Sequence, residues 1–340
     1  MSQYPVSIAP MIDKSHRYFR QIIRLLTKRT LLYTEMIAGA AIVHGDRPRL
    51  LDFSSQEKPL ALQIGTGSPK EAYEAVKIAQ DWDYDEINLN VGCPSDRVQS
   101  GAFGACLMAD PDLVAEILSA MVQATDKPVT VKHRIGIRSR NLGTALEDYE
   151  DLYDFVQQVV PTGIRRCTVH ARIAILEGLS PKENRDIPPL RYEDVYRLKD
   201  DVSKHHPDLE IEINGGIKTY DQIARHLTRV HGVMIGRASY DDPYLLSEFD
   251  SRYFDSSLPV PTRRQVILGA FDLLDQWQNE GQNPRNLVWP ILELFAGIPG
   301  TRKWKRLLSR PFPAHLPVRP FLEEALSQSP TDWLDARYGT

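Results

Sequence analysis

Apolar residues along the first 250 positions fall into short runs of two alternating periods. Eight runs have strand character: residues 6–10, 31–36, 60–65, 86–92, 129–134, 166–171, 210–215 and 232–237. The fourth shows the period best, because Ile87, Leu89 and Val91 alternate with Asn88 and Asn90. Between the runs lie stretches of helical period at 15–26, 69–80, 111–122, 146–160, 192–199 and 220–227. Strand followed by helix, repeated, predicts parallel strands joined by crossovers. Eight such units match a (β/α)8 TIM barrel, an α/β fold that typically takes about 250 residues. A doubly wound open sheet is the structural rival. No G-x-G-x-x-G follows the first strand, which weighs against that rival.

The texture changes after Tyr253. Residues 255–261, DSSLPVP, read as a linker. Helix-period segments without strands follow at 262–278, 286–295, 302–309 and 318–326. Thr262 is an N-cap candidate, and Val266, Ile267, Ala270, Leu273 and Leu274 share one buried face. Pro290 predicts a kink or a new start in the second segment. The expected division is a barrel over 1–250 and a small all-α helical domain over 255–335.

Composition narrows the classes only a little. With 42% hydrophobic and 25% charged residues, the 340-residue chain has the make-up of a globular protein. A net charge of −4 does not announce a nucleic-acid binder, so an RNA partner would need basic residues gathered on one face. Cys93, Cys106 and Cys167 lack the paired spacing of a zinc site and fit a reducing compartment. The first residues hold no apolar signal core, and no apolar run is long enough to cross a membrane. A cytoplasmic location is expected.

Barrel enzymes work where strands exit. The exits here carry Pro10 and Met11, Glu35, Gln63, Asn90 and Cys93, Lys132 and Arg134, His170 and Arg172, Asn214-Gly215-Gly216, and Gly236-Arg237. The last two follow the seventh and eighth strands, where such barrels often cradle a phosphate; two tight turns are the plainer alternative. Lys132 suits an anionic cofactor edge, or an ion pair with a barrel carboxylate such as Glu35. His170 and Gln63 are cofactor contacts or hydrogen-bonded core groups. Cys93 sits on a Gly-Cys-Pro turn at a strand exit. That placement favours a proton-donating thiol over a buried loop residue, since free thiols with a pKa near 8.5 stay mostly protonated at neutral pH. Cys106 and Cys167 have apolar neighbours and read as structural.

The stretch EINLNVGCPSDRVQSGAFGACLM, residues 86–108, resembles the tRNA-dihydrouridine synthases, and the likeness continues over most of the chain. Within that family it is most like the synthase A subfamily. The resemblance implies FMN bound by Ala9, Pro10, Met11, Gln63, Lys132, His170, Asn214, Gly215, Gly216, Gly236 and Arg237. It implies NADPH as reductant, Cys93 as general acid and Asn90 as a holder of the substrate base. The expected reaction reduces D-loop uridines, at positions 20 and 20a, by hydride to C6 and a proton from Cys93 to C5. A uridine inside folded tRNA must first leave its stack. Arg134 and Arg172 would then touch base or phosphate; solvated surface arginines are the alternative.

Residues 301–310, TRKWKRLLSR, carry Arg302, Lys303, Lys305, Arg306 and Arg310 and no acid. Arg302, Lys305 and Arg306 share a helical face, which is a phosphate-contact footprint or a solvated basic face. Lys182 and Arg185 form a second basic loop, and the resemblance implies tRNA contact by both regions. The chain has Ile173 and Ile175 where the subfamily commonly has Lys and Trp, and Trp289-Pro290 where it has Arg-His. These departures bear on tRNA recognition. The expected partner is tRNA, without a membrane, and the protein is expected to be a monomer. Two rivals remain. One is a flavin barrel for a free pyrimidine, similar to dihydroorotate dehydrogenases. The other is a tRNA-binding module with a vestigial flavin site.

Overall fold

The computed structural model describes residues 2–95, 101–281, 285–309 and 318–339. The chain divides into two compact units. The first holds residues 1–12, 31–53 and 58–236; the second holds 13–30, 54–57 and 237–340.

The first unit is a barrel. Its strands are β1 (Val6–Ile8), β2 (Leu32–Ala38), β3 (Leu60–Gly65), β4 (Glu86–Val91), β5 (Val129–Arg134), β8 (Arg166–His170), β10 (Glu210–Asn214) and β11 (Gly232–Ile235). They form an 8-stranded sheet in the order β1-β11-β10-β8-β5-β4-β3-β2, with every pairing parallel. Ser7 bridges Leu31, and the Ile8 N–H donates to the Leu31 carbonyl at 2.9 Å, so the two ends of the sheet meet. All eight sequence-predicted strands are present, and helices link them as expected. Pro69–Ala79 begins at Ser68, whose hydroxyl accepts from the Glu71 N–H, and Pro111–Ala124 begins at Asp110 in the same way.

Alternation along the strands decides what lies inside. Ile87, Leu89, Val131, Cys167, Val169, Ile211, Ile213 and Val233 form one apolar set, each 0% exposed. The other set is polar and equally buried: Gln63, Asn88, Thr130, Thr168 and Glu212 are at most 1% exposed. Three charged residues of this face, Glu86, Arg166 and Glu212, meet in one cluster. Arg166 pairs with Glu86 and lies 3.6 Å from Glu212, while Glu212 accepts from Ser7 and Thr168 at 2.6 Å each. Buried charge is costly unless paired and hydrogen-bonded; here each charge is paired and the two carboxylates are hydrogen-bonded, while Arg166 Nε has no hydrogen-bond partner among the described residues. Sequence reading found none of it. It also missed a small sheet of β6 (Ile137–Ser139), β7 (Thr144–Leu146) and β9 (Ala174–Ile175), whose strands are too short for a period to show.

The second unit is helical. Thr262 caps Arg263–Asn279 with a capping box to Gln265, and Val266, Ile267, Ala270, Leu273 and Leu274 are buried, as their spacing predicts. Pro290 lies inside helix Arg285–Leu292, where it removes one backbone N–H from the helical ladder. Residues 13–30 belong to this unit for a visible reason. The Asp250 carboxylate accepts from Thr27 Oγ1 at 2.5 Å and from the Lys28 and Arg29 N–H groups at 2.6 and 3.1 Å. Arg20 and Glu57, both buried, pair at 2.6 Å.

Candidate functional site at the strand exits

The exits of β3, β4, β5, β8, β10 and β11 bring most of the candidate residues into one mouth. Asn90, near the end of β4, is 8% exposed. Its Oδ1 accepts from the Gly92 and Cys93 N–H groups at 3.1 and 3.0 Å. The Cys93 carbonyl accepts from the Ala105 N–H at 2.9 Å, and its thiol donates to Ser95 Oγ at 3.4 Å. The loop carrying the thiol is therefore fixed on both sides. Gly104–Ala109 is a 3-10 helix and supplies the second anchor. Residues 96–100 within this stretch are outside the described residues.

Lys132 and Arg134 stand two apart on β5 and share the interior face. Burial, and then Arg134, pull the Lys132 ammonium down to about 8. The carboxylate that acts on it is Glu212, not the Glu35 considered from sequence. Burial also lowers Arg134, to about 10. The Cys93 thiol acts on both cations. Arg134 is 4% exposed and donates to the carbonyls of Gly92, Ile173 and Asn184 at 3.0, 3.0 and 2.9 Å. It is a buried post tying three loops together, which rules out the solvated surface arginine. Arg172 donates to the Pro188 carbonyl. Burial, with Arg134, Lys132, Arg172 and Arg185 around it, holds His170 well below the usual imidazole range, and its buried Nδ1 has no hydrogen-bond partner among the described residues.

Asn184 was not foreseen. Fully buried, it donates to the Ile175 carbonyl at 2.8 Å, accepts from the Ile175 N–H at 2.8 Å and offers its own carbonyl to Arg134. It thereby sets the loop that presents Lys182, which is exposed, and Arg185, which is half-buried. Ile173 and Ile175 serve this loop through their backbones. An Asn in the middle of PKENR gives no sequence signal for such a role.

The glycine pair after β10 is built for close approach. Gly215 and Gly216 have φ of +121° and +72°. A Cβ on Gly216 would lie 2.7 Å from Leu190 Cδ1 and 3.1 Å from the Tyr192 hydroxyl. Asn214 Nδ2 donates to the Met234 carbonyl at 2.8 Å, joining this turn to β11 and Gly236. Gly216→Ala is expected to cost about 1–2 kcal/mol for the left-handed backbone alone. Thermal denaturation checks this, and a wild-type value would show that the turn accepts a side chain. Ala9 is 5% exposed, with Met11 packed on the same small cluster of Leu31, Tyr33, Ala61 and Met234. Arg237 falls in the second unit, before the short helix Ala238–Asp241.

In the second unit, helix Arg302–Leu308 buries Trp304, Leu307 and Leu308. Arg302, Lys303 and Arg306 are exposed, while Lys305 pairs with Glu293 at 2.7 Å. Three basic side chains of this helix are therefore exposed, and the fourth carries an ion pair. Arg310 is outside the described residues.

The profile of the dihydrouridine synthase family matches residues 7–329. The tRNA-dihydrouridine(20/20a) synthase of Synechocystis sp. is 54% identical over 305 residues, covering 90% of this chain and 88% of that one. The protein of the same name from Pseudomonas aeruginosa is 49% identical over 303 residues, covering 89% and 88%. Among solved structures, a 2-naphthoyl-CoA reductase in complex with 2-naphthoyl-CoA superposes with a TM-score of 0.53 at 10% identity, over 72% of this chain and 49% of that one. That likeness concerns the fold alone.

Proposed function

This chain belongs to the dihydrouridine synthase family, flavin-dependent oxidoreductases that reduce uridines in tRNA, and from that premise we propose that it converts uridines 20 and 20a of the D-loop to 5,6-dihydrouridine, with FMN as its flavin and NADPH as reductant. The observation that carries the reading is the charge of the barrel mouth. Lys132, Arg134, Arg172 and Arg185 surround His170, and neither Lys132 nor Arg134 has a carboxylate ion pair among the described residues. So many cations gathered inside a barrel call for an anionic ligand. The unpartnered His170 Nδ1 and the left-handed glycine turn after β10, which leaves backbone N–H groups free of side-chain cover, would suit the ring and the phosphate of a flavin mononucleotide.

Bound there, the flavin supplies the hydride that no side chain can give. Gln63, Lys132 and His170 would hold its ring, and Asn214, Gly215, Gly216 and Gly236 its phosphate; Ala9, Pro10 and Met11 would line the wall, and sequence alone adds Arg237. Cys93 Sγ delivers the proton to C5 of the extruded uracil. Lys132 and Arg134, on the strand next to β4, supply positive charge to the same mouth. Asn90 fixes the thiol's loop through two N–H groups and would offer its amide to the base.

Exposed Arg302 and Arg306, with Lys182 and Arg185, would meet tRNA phosphates. Arg302→Glu with Arg306→Glu is expected to raise the tRNA KM at least tenfold, flatten its salt dependence and leave NADPH oxidation by the bound flavin unchanged. Steady-state kinetics over a salt series check this, and an unchanged tRNA KM would remove the patch. No described helix is long and apolar enough to cross a membrane. A cytoplasmic monomer is proposed.

The test of the function is spectroscopic. The purified protein should show a flavin spectrum that NADPH bleaches. Without oxygen, colour should return only when tRNA lacking dihydrouridine is added. Bleaching indifferent to tRNA would favour a free pyrimidine, and a colourless protein that FMN cannot reconstitute would leave a binding role.

A further inference from the structure

Inside the barrel, a single row of hydrogen bonds joins the Cys93 loop to the buried ion pair. Asn90 Oδ1 accepts from the Gly92 and Cys93 N–H groups. Asn90 Nδ2 donates to Gln63 Oε1 at 2.9 Å, and Gln63 Nε2 donates to Asn88 Oδ1 at 2.8 Å. Asn88 Nδ2 donates to Thr130 Oγ1 at 2.8 Å, and the Thr130 hydroxyl donates to Glu86 Oε1 at 2.6 Å. Glu86 also accepts from Tyr33 and pairs with Arg166.

Both ends of this row admit one sense only. Backbone N–H groups can only donate, so Asn90 must turn its oxygen toward them. An ionised carboxylate can only accept, so Thr130 must point its proton at Glu86. Every amide between is then forced to one of its two orientations. One N–H of Gln63 and one of Asn90 remain unspent by the row, and both acceptor positions of Asn90 Oδ1 are filled, so these amides have N–H groups to offer a ligand. The flipped orientation would offer carbonyl oxygens instead.

We propose that the Glu86–Arg166 pair, acting through Thr130 and Asn88, sets the orientation of the Gln63 and Asn90 amides, and so makes the mouth a donor surface for acceptor-rich rings. Glu86, Thr130 and Asn88 are thus positioning residues for the reaction, though none of them meets the ligand. The inference rests on the proposed flavin and uridine sites, in that those supply the ring acceptors. The same row places the thiol, and that part needs no ligand.

Thr130→Val removes the hydroxyl at nearly constant volume, and Thr130→Ser restores it. The Val variant is expected to lose roughly tenfold in kcat, as for one buried hydrogen bond, with tRNA KM unchanged. Its flavin potential should move negative, because reduced flavin loses well-aimed donors. In the flavin-free protein, alkylation of Cys93 by iodoacetamide, followed by peptide mass mapping, should speed up several-fold. Thr130→Ser should stay within about twofold of wild type in all three. Wild-type behaviour of Thr130→Val overturns the inference, as does equal loss in Thr130→Ser, which would make volume the cause. If the wild type itself neither holds flavin nor reduces tRNA, the functional reading fails instead, and the alkylation rates still decide whether the row positions the thiol.

Discussion

Cys93→Ala is expected to abolish dihydrouridine formation while the protein still purifies yellow and still bleaches with NADPH. General acid catalysis contributes about 100- to 10 000-fold, so turnover should fall by at least the lower figure. The structure explains why the loss should be confined to chemistry. The loop is held by backbone groups, through Asn90 Oδ1 and the Ala105 N–H, and alanine keeps every one of those bonds. The side chain's own described bond is one long contact to Ser95. Single-turnover reoxidation of the reduced enzyme by tRNA isolates the step. A rate within threefold of wild type would take Cys93 out of the mechanism.

Lys132→Met should act earlier, on the cofactor. Charge-assisted hydrogen bonds contribute about 1.5–3 kcal/mol, so FMN affinity is expected to fall roughly 10- to 150-fold. The pH dependence gives a sharper signature. In the flavin-free protein, burial and Arg134 hold Lys132 down to about 8. An anionic ligand beside it raises that value. The complex therefore binds the proton more tightly than the free protein does. Below pH 8 the lysine is charged in both states, and its contribution to affinity is fully present. As pH rises through 8, binding must take up a proton and affinity falls. Methionine has no proton to take up, so its titration should be flat over the same window. Fluorescence titrations of FMN from pH 7 to 9.5 measure this, and parallel curves for the two proteins would contradict it. The same depressed value makes a charged Lys132 a cost to the empty fold at neutral pH, relieved as pH rises from about 8 toward the ordinary lysine range near 10.5.

Much of this was legible in the chain. The strands announced themselves because one side of each faces helices and is wholly apolar, as Ile87 and Leu89 or Ile211 and Ile213 are. Their exits named the mouth, since Cys93, His170 and Asn214 each end or follow such a run and Lys132 lies two residues before the end of one. The inward polar side was written in the same residues yet could not be assembled. Arg166 meets Glu86 across 80 positions, and which residues of parallel strands stand level is not encoded locally. Arg134 reads from sequence as a base or phosphate contact, or else a surface group, because nothing nearby in sequence shows the three carbonyls that surround it. Residues 13–30 looked like part of the barrel because Asp250, which holds them, lies more than 200 positions away. Lys305 also pairs with Glu293, on a neighbouring segment that its own stretch of sequence does not point to.

The most direct measurement is mass spectrometry of tRNA. Unmodified tRNA is incubated with the protein, FMN and NADPH, then digested, and the D-loop fragment is weighed and sequenced. A gain of two hydrogens on that fragment, localised to uridines 20 and 20a and absent with Cys93→Ala, is the predicted result. An unchanged D-loop fragment, from protein that carries flavin and oxidises NADPH, would contradict it.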